Sequence, residues 1–355
     1  MELFTVNPTD NYRRGALIEN FESFIWTDRF SAFGDLTLVA QPTLAMRTLL
    51  APDTLVGFDE SDRVMQIDSA VRAEDAEGVD KLTIKGRSLE HVLDGRAAKR
   101  VLSPATWNIT GTVGSIIAEM VNGVCVQGGG ISPNDIIPNL SVSYDLLPVT
   151  SSYVVSVKAG TLYERVKEIC DTFNYGFRIT VTPGTNTLWF VVYPGTDRSS
   201  RTAVGSVAFS EDLENLSQSS YLVSKENYNT TAYVFSDNGS RIVNATGTEA
   251  ISGLNRKVIL VDATDITTVA GAELNAALDQ RGRDSLSAHK VEVLFDGTTN
   301  PTGMYRYNIH YFLGDIVALI GDYNIRQPMR VTEHIWSYDT TGYNSYPTLA
   351  AVGGV

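Results

Sequence analysis

The chain has 355 residues, 43% hydrophobic and 19% charged, a balance that builds folded cores and excludes a disordered polyelectrolyte. Its 28 Lys and Arg against 41 Asp and Glu leave a net charge of −13; such a surface repels phosphate and excludes a protein that grips nucleic acid through many backbone contacts. Two cysteines, Cys125 and Cys170, exclude a disulfide scaffold or a zinc framework.

Residues 1–100 read mainly as strands. The opening Met1–Tyr12 lacks the basic region and apolar run of a secretion signal. Leu36, Leu38 and Ala40 alternate with Thr37, Val39 and Gln41, and Leu82 and Ile84 alternate with Lys81, Thr83 and Lys85. Period two with one apolar face predicts half-buried antiparallel strands. Phe33-Gly34-Asp35, Ala51-Pro52-Asp53 and Glu77-Gly78 separate them as turns, and a short helix is expected over Ser88–Leu93, stopped by Gly95.

Residues 101–200 change character. Thr112–Asn122 reads as a helix on Ile116, Ile117, Met120 and Val121, closed by Gly123. Gly128–Gly130, Pro133, Pro138 and Pro148 then give loop chemistry. Thr161-Leu162-Tyr163-Glu164 is a capping-box pattern, and Leu162, Val166, Ile169 and Phe173 form one buried stripe behind it. Phe177–Val181 and Leu188–Tyr193 read as a hairpin around Pro183-Gly184. A helix followed by a hairpin is a compact α+β unit.

From residue 201 strands return: 221–223, 230–235, 256–261, 291–295, 315–320 and 330–338. One helix interrupts them, with Ala270, Leu274, Ala277 and Leu278 on one face. Arg281-Gly282-Arg283 reads as its end, Gly282 allowing positive φ. Asp296–Asn300 reads as a turn, lacking the spaced oxygen ligands of a calcium loop. No stretch approaches the roughly 18 apolar residues of a membrane span. The fold class is β-rich α+β: two β-rich bodies, 1–100 and 201–355, around an α+β insertion at 101–200.

Signatures of chemistry are missing. There is no Gly-x-Ser-x-Gly elbow, no phosphate loop and no His-Glu-x-x-His. His91, His289, His310 and His334 have no partner at metal-ligand spacing and read as surface or packing residues. Asp59, Glu60 and Asp62 form one acidic cluster, and Glu74, Asp75 and Glu77 a second; both read as solvated acids beside turns. No catalytic residue, metal or cofactor is expected. Two other readings compete. Tyr305, Tyr307, Tyr311 and Phe312 are dense enough to stack sugars, which fits an adhesion module, though core and interface packing is the commoner use. Abundant carboxylates leave a glycan hydrolase open, since the separation such a pair needs is a spatial property.

Several segments resemble the baseplate hub, or tail-associated, proteins of long-tailed bacteriophages, relatives of the central hub of contractile tails. Ile18–Pro42 resembles their first strands, with Gly34-Asp35 in the turn. Lys85–Arg96 resembles their Gly-x-Ser-Leu segment through Gly86, Arg87, Ser88, Leu89 and Arg96. Leu274–Leu286 carries Arg281, Gly282 and Leu286, and Tyr305–Val317 carries Leu313, Gly314, Asp315, Ile316 and Val317. Arg330–Glu333 and Tyr346-Pro347-Thr348 follow in order.

The resemblance implies two hub-type antiparallel β-barrel domains with an α+β insertion, and no enzyme. It implies a homotrimeric ring at the virion tail tip, assembled in the host bacterial cytoplasm, that adapts a sixfold tail to a threefold tip. Implied partners are the distal tail protein ring, the tape-measure protein C-terminus and downstream tail-tip or fibre proteins, with DNA only in transit. The chain stops soon after the last hub motif, which places receptor binding or cell-wall cleavage on a separate protein. On this reading the two acidic clusters line the channel, where repulsion keeps DNA from sticking.

Overall fold

The computed structural model describes residues 1–352 apart from 75–77, 79, 100–106, 127–129, 145–146, 149–150, 267–269, 300–303 and 321–325. The chain opens with β1 (Leu3–Asn7), β2 (Arg13–Leu17), β3 (Phe21–Arg29), β4 (Asp35–Ala40), α1 (Leu44–Leu49), β5 (Leu55–Phe58), β6 (Val64–Glu74) and β7 (Asp80–Ser88). Next come β8 (Trp107–Gly111), α2 (Val113–Val121), β9 (Leu140–Ser143), β10 (Tyr153–Val157), α3 (Leu162–Phe173), β11 (Tyr175–Val181), β12 (Leu188–Pro194) and β13 (Ala208–Phe209). The remainder is β14 (Leu216–Ser224), β15 (Thr231–Ser236), β16 (Gly239–Asn244), β17 (Val258–Asp262), α4 (Gly271–Ala288), β18 (Glu292–Thr299), β19 (Ile316–Ile320), β20 (Arg326–Asp339) and β21 (Gly342–Ala351).

Two compact units result, one built on Met1–Ser219 with Asp296–Leu349, the other on Ser220–Phe295. These bounds differ from the expected divisions at 100 and 200. The reason is a hydrogen-bond ladder between strands distant in sequence: Glu333–Tyr338 of β20 pair with Phe24–Arg29 of β3. The ladder continues from β20 through β3, β4, β7, β6, β5 and β1 to β2, with β21 beside β20. The other half of β20, Arg326–Arg330, pairs with β19.

Alternation along these strands sorts side chains between two cores. Trp26, Leu36, Leu38, Val56, Phe58, Met65, Ile84 and Trp336 enter the first. Trp26 and Trp336 sit opposite each other on β3 and β20, while Phe58 comes from β5, beyond β4, β7 and β6. Its ring nevertheless lies 5.5 Å from both indoles, so the sheet curls until its distant strands meet. Leu55 and Val64 point the other way, into the second core.

The insertion supplies the rest of that second core: Ile116, Ile117, Met120 and Val121 of α2, Leu162, Val166 and Cys170 of α3, and Phe177, Ile179 and Phe190 of the β11–β12 hairpin. The capping box of α3 forms as the sequence predicts. Thr161 Oγ1 accepts from Glu164 N and Glu164 Oε2 accepts from Thr161 N, each at 3.1 Å. Gly123 does not close α2, because the backbone runs on into a π-turn over Asn122–Val126. The segment Leu89–Leu93 is a 3₁₀ turn rather than an α-helix.

In the second unit β15 lies between β16 and β17, with α4 on one face. Here two expectations are corrected. Arg281-Gly282-Arg283 does not end the helix, which continues to Ala288. Gly282 is present for close approach: a Cβ there would lie 2.6 Å from Val243 Cγ2 and 3.0 Å from Val234 Cγ2. Asp296–Thr299 is not a turn but the end of β18.

Gly282→Ala therefore tests two opposed effects. Helix propensity alone favours Ala by about 1 kcal/mol, whereas the collision with two stiff valines costs about 1–3 kcal/mol. The variant is expected to lower the midpoint of thermal unfolding; a raised midpoint would show that α4 lifts from the sheet without cost.

Candidate functional site

The motif residues of the sequence gather at seams between elements. At the first seam, Gly314 adopts φ +86°, and a Cβ there would strike the Phe30 ring at 2.2 Å. The turn it makes buries Asp315, whose carboxylate accepts from Thr196 N at 2.8 Å, Arg198 Nε at 2.6 Å and Phe312 N at 3.0 Å. Ile316 N donates to Thr196 O and Arg198 N to Ile316 O. Asp315 thus fastens the segment leaving the insertion to the start of β19. Leu313 and Val317 are buried and Ile316 half-buried.

At the second seam Gly34 N donates to Ser88 Oγ at 2.6 Å and Ser88 N returns a bond to Gly34 O at 3.0 Å. A Cβ on Gly34 would lie 2.2 Å from Thr27 O, so this glycine serves backbone approach. Gly86 does the same against Gln66 O at 2.6 Å. Asp35 pairs with Arg29 at 2.7 Å, and Arg87 grips Asp68 through two bonds of 2.7 and 2.9 Å. Leu89 is buried, and Arg96 Nε donates to Asp135 O at 3.0 Å while its carbonyl accepts from Leu162 N at the start of α3. In the second unit Arg281 meets Asp265 at 2.8 Å, and Leu286 is buried.

Sequence reasoning missed the charged knot at the centre. Arg63 and Glu90 are both fully buried, 2.9 Å apart. Glu90 Oε1 also accepts from Ile179 N at 2.7 Å, and Arg63 donates to Arg29 O at 2.5 Å. Beside them Arg178 pairs with Asp62 at 2.6 Å and lies over the Tyr193 ring. One guanidinium therefore ties the curled sheet, the 3₁₀ turn and the inserted hairpin together. Burial works to lower the Arg63 pKa, but the adjacent Glu90 carboxylate, with Tyr193, Asp28 and Asp62, holds it above its ordinary value. The available signal was Glu90 itself, a carboxylate set among Leu89, Val92 and Leu93.

Two further buried polar groups face each other across β3 and β20, Asp28 and His334. Asp28 accepts from Ser61 Oγ at 2.6 Å and Trp26 Nε1 at 2.9 Å. Burial pushes its pKa up to about 6, against the pull of Arg63. His334 stacks on Tyr307 at 4.0 Å and shares a 2.8 Å hydrogen bond with Ser345 Oγ. Burial lowers its pKa to about 3.

Asp59 accepts from Glu2 N at 2.8 Å, Glu60 accepts from Tyr343 OH at 2.6 Å, and Asp62 holds Arg178. These three carboxylates are exposed, as expected of acids beside turns, and each also fastens one element to another. Glu74 is exposed at the end of β6; Asp75 and Glu77 lie outside the described residues. A cavity of about 480 Å³ is lined by Glu60, Tyr305, Tyr307, Trp336 and Tyr343. Tyr307 there is stacked on His334, and the Tyr311 ring is buried against Phe209.

A family model described as Siphovirus ReqiPepy6 Gp37-like protein matches residues 2–349. The chain belongs to this siphovirus tail-protein family. No curated protein matches. Among solved structures, this family member resembles the tail protein from Neisseria meningitidis MC58, with a TM-score of 0.61 and 15% identity over 99% of this chain and 96% of that one. The prophage MuSo2 43 kDa tail protein from Shewanella oneidensis gives 0.59 and 11% over 99% and 98%. Prophage tail protein gp18 from Listeria monocytogenes EGD-e gives 0.54 and 11% over 99% and 94%. At these identities the likeness is one of fold, a strand-rich architecture with a few helices.

The knot and the pair make separate predictions. Glu90→Ala leaves Arg63 buried without its carboxylate and is expected to cost about 3–5 kcal/mol; a denaturant midpoint equal to the parent's would refute the knot. For pH the signs oppose. Between about 3 and 6.5 the unfolded chain binds a proton at His334 that the folded chain refuses, so stability falls as pH drops. Between 3.8 and about 6 the folded chain keeps a proton on Asp28 that the unfolded chain releases, so stability falls as pH rises. Comparing midpoints at pH 7 and pH 5, His334→Gln should flatten the acid loss and Asp28→Asn should steepen it.

Proposed function

We propose that this tail protein is a structural hub. Three copies form a ring at the distal end of the tail, adapt sixfold tail symmetry to a threefold tip, and leave an axial channel for the tape-measure protein and DNA. Its neighbours are the distal tail protein ring, the tape-measure C-terminus and tip or fibre proteins, and its site residues act by holding shape. In this reading the strand-rich stretches 1–100 and 201–355 provide two barrel-type bodies and 101–200 the insertion between them.

The observation that carries the reading is the family match over residues 2–349, joined to near full-length overlap with three tail proteins of the same fold. Two features support it physically. The curled main sheet is the geometry from which a barrel wall is made. The residues that resemble hub motifs, Gly34, Ser88, Gly314 and Asp315, do structural work at seams. The net charge of −13 suits a channel wall that DNA passes without adhering.

Electron microscopy of intact tails tests the proposal. The expected density is a three-copy ring around an open axis at the tail tip, with an acidic lumen. A peripheral position, another copy number or a strongly positive lumen would each contradict it.

A further inference from the structure

The tyrosine-dense segment near the end of the sequence has no role in the hub reading, and it lines the cavity of about 480 Å³. Its backbone is a closed loop. Asn308 N donates to Tyr311 O at 3.0 Å, His310 N to Arg306 O at 2.8 Å, and Arg306 N to His310 Nδ1 at 2.9 Å. Asn308 turns the chain at φ +61°. Two contacts tie this loop and β21 to the turn after β5: Asn308 Nδ2 donates to Glu60 O at 2.8 Å, and Tyr343 OH donates to Glu60 Oε2 at 2.6 Å. Buried Trp336 of β20 and Tyr307, stacked on His334, complete the aromatic lining. The lining groups are thus held in place by the fold, which lowers the cost of ordering them around a ligand.

The volume falls in the roughly 300–1,000 Å³ range of small-molecule sites, and the lining chemistry narrows the class. Asp59, Glu60, Arg306 and Asn308 are exposed at the cavity, and the rings of Tyr305 and Tyr343 are half-buried there. Two carboxylates accept from hydroxyl groups, a guanidinium donates, and a carboxamide does both. Tyrosine adds a flat apolar face with a polar tip. A molecule matching this set carries hydroxyls around its rim and C–H bonds across a face. The geometry points to a binding site for a neutral saccharide, about the size of a mono- or disaccharide. This adds a ligand to the hub reading and does not depend on it. Charge disfavours the competitors. An anion meets Asp59 and Glu60. A cation meets Arg306 and finds both carboxylates engaged, Asp59 by the Met1 ammonium at 3.4 Å and by Glu2 N, Glu60 by Tyr343.

The test titrates the full chain by isothermal calorimetry with glucose, galactose, N-acetylglucosamine, lactose and N,N′-diacetylchitobiose. Glucose 6-phosphate and spermidine are the anionic and cationic probes. The expected result is at least one neutral sugar bound with a Kd on the order of a millimolar, the strength a ligand of this size reaches. Tyr305→Ala removes a ring face and Glu60→Gln a charge-assisted hydrogen bond, and each should weaken binding about tenfold. Trp189→Ala, which removes an exposed indole of β12, should leave it unchanged. Circular dichroism confirms folding. The Tyr305 ring packs on Phe209; should either variant fail to fold, Arg306→Ala, at an exposed side chain, replaces it with the same expected loss. A disaccharide bound about tenfold tighter than its monosaccharide identifies a glycan chain as the source, and equal binding a free sugar or a chain end; both support the site. Failure of every neutral sugar to bind at about 50 mM overturns the inference. Binding that ignores the cavity variants, or that Trp189→Ala weakens equally, overturns the site, and tighter binding of glucose 6-phosphate or spermidine overturns the ligand class.

Discussion

One buried ion pair sets the terms for the rest of the first unit. Arg63 and Glu90 touch at 2.9 Å with no solvent on either side chain. Removing two charges from water costs several kcal/mol each, and their attraction repays that only when the remaining donors and acceptors are used. Here backbone uses some of them: Ile179 N binds Glu90 Oε1 and Arg29 O binds Arg63, while Arg63 Nε and Glu90 Oε2 are buried without a hydrogen-bond partner. The pair is stable only when sheet, 3₁₀ turn and inserted hairpin are all in place. That dependence makes it a device for specifying one arrangement of these elements, more than a source of raw stability.

The glycines that resemble family motifs follow from the same demand for close seams. Gly34, Gly86 and Gly314 leave no room for a Cβ, because a carbonyl or the Phe30 ring occupies the space. Gly195 is tighter still, its would-be Cβ 1.7 Å from Gly314 O. Each marks a place where one segment is pressed onto another, and Asp315 then locks the junction by gathering three donors. Asp28, His334 and Arg63, each shifted from its ordinary pKa, lie in the interior and are held by packing.

The two units also manage their surfaces differently. The first spreads apolar residues over both sides of its sheet and covers both, with the curled core on one and the insertion on the other. The second covers one side with α4 and leaves Leu260, Ile242 and Phe235 exposed on the other.

Several local signals in the sequence match the local structure. Alternation at Leu36–Ala40 and Leu82–Ile84 marks β4 and β7, and Thr161 with Glu164 marks the start of α3. The ordered motifs pointed to the tail-protein family. What the chain alone did not reveal is long-range. The pairing of β20 with β3 joins residues some three hundred positions apart, and no short window records such a partner. The burial of Arg63, Glu90 and Asp28 is decided by elements that arrive from elsewhere. Gly282 looked like a helix stop because a glycine signals equally a positive φ and a missing side chain, and only the valines of β15 and β16 against it decide which. Periodicity and capping are properties of neighbours along the chain and are written there; register, burial and contact belong to neighbours in space, and only the folded molecule chooses them.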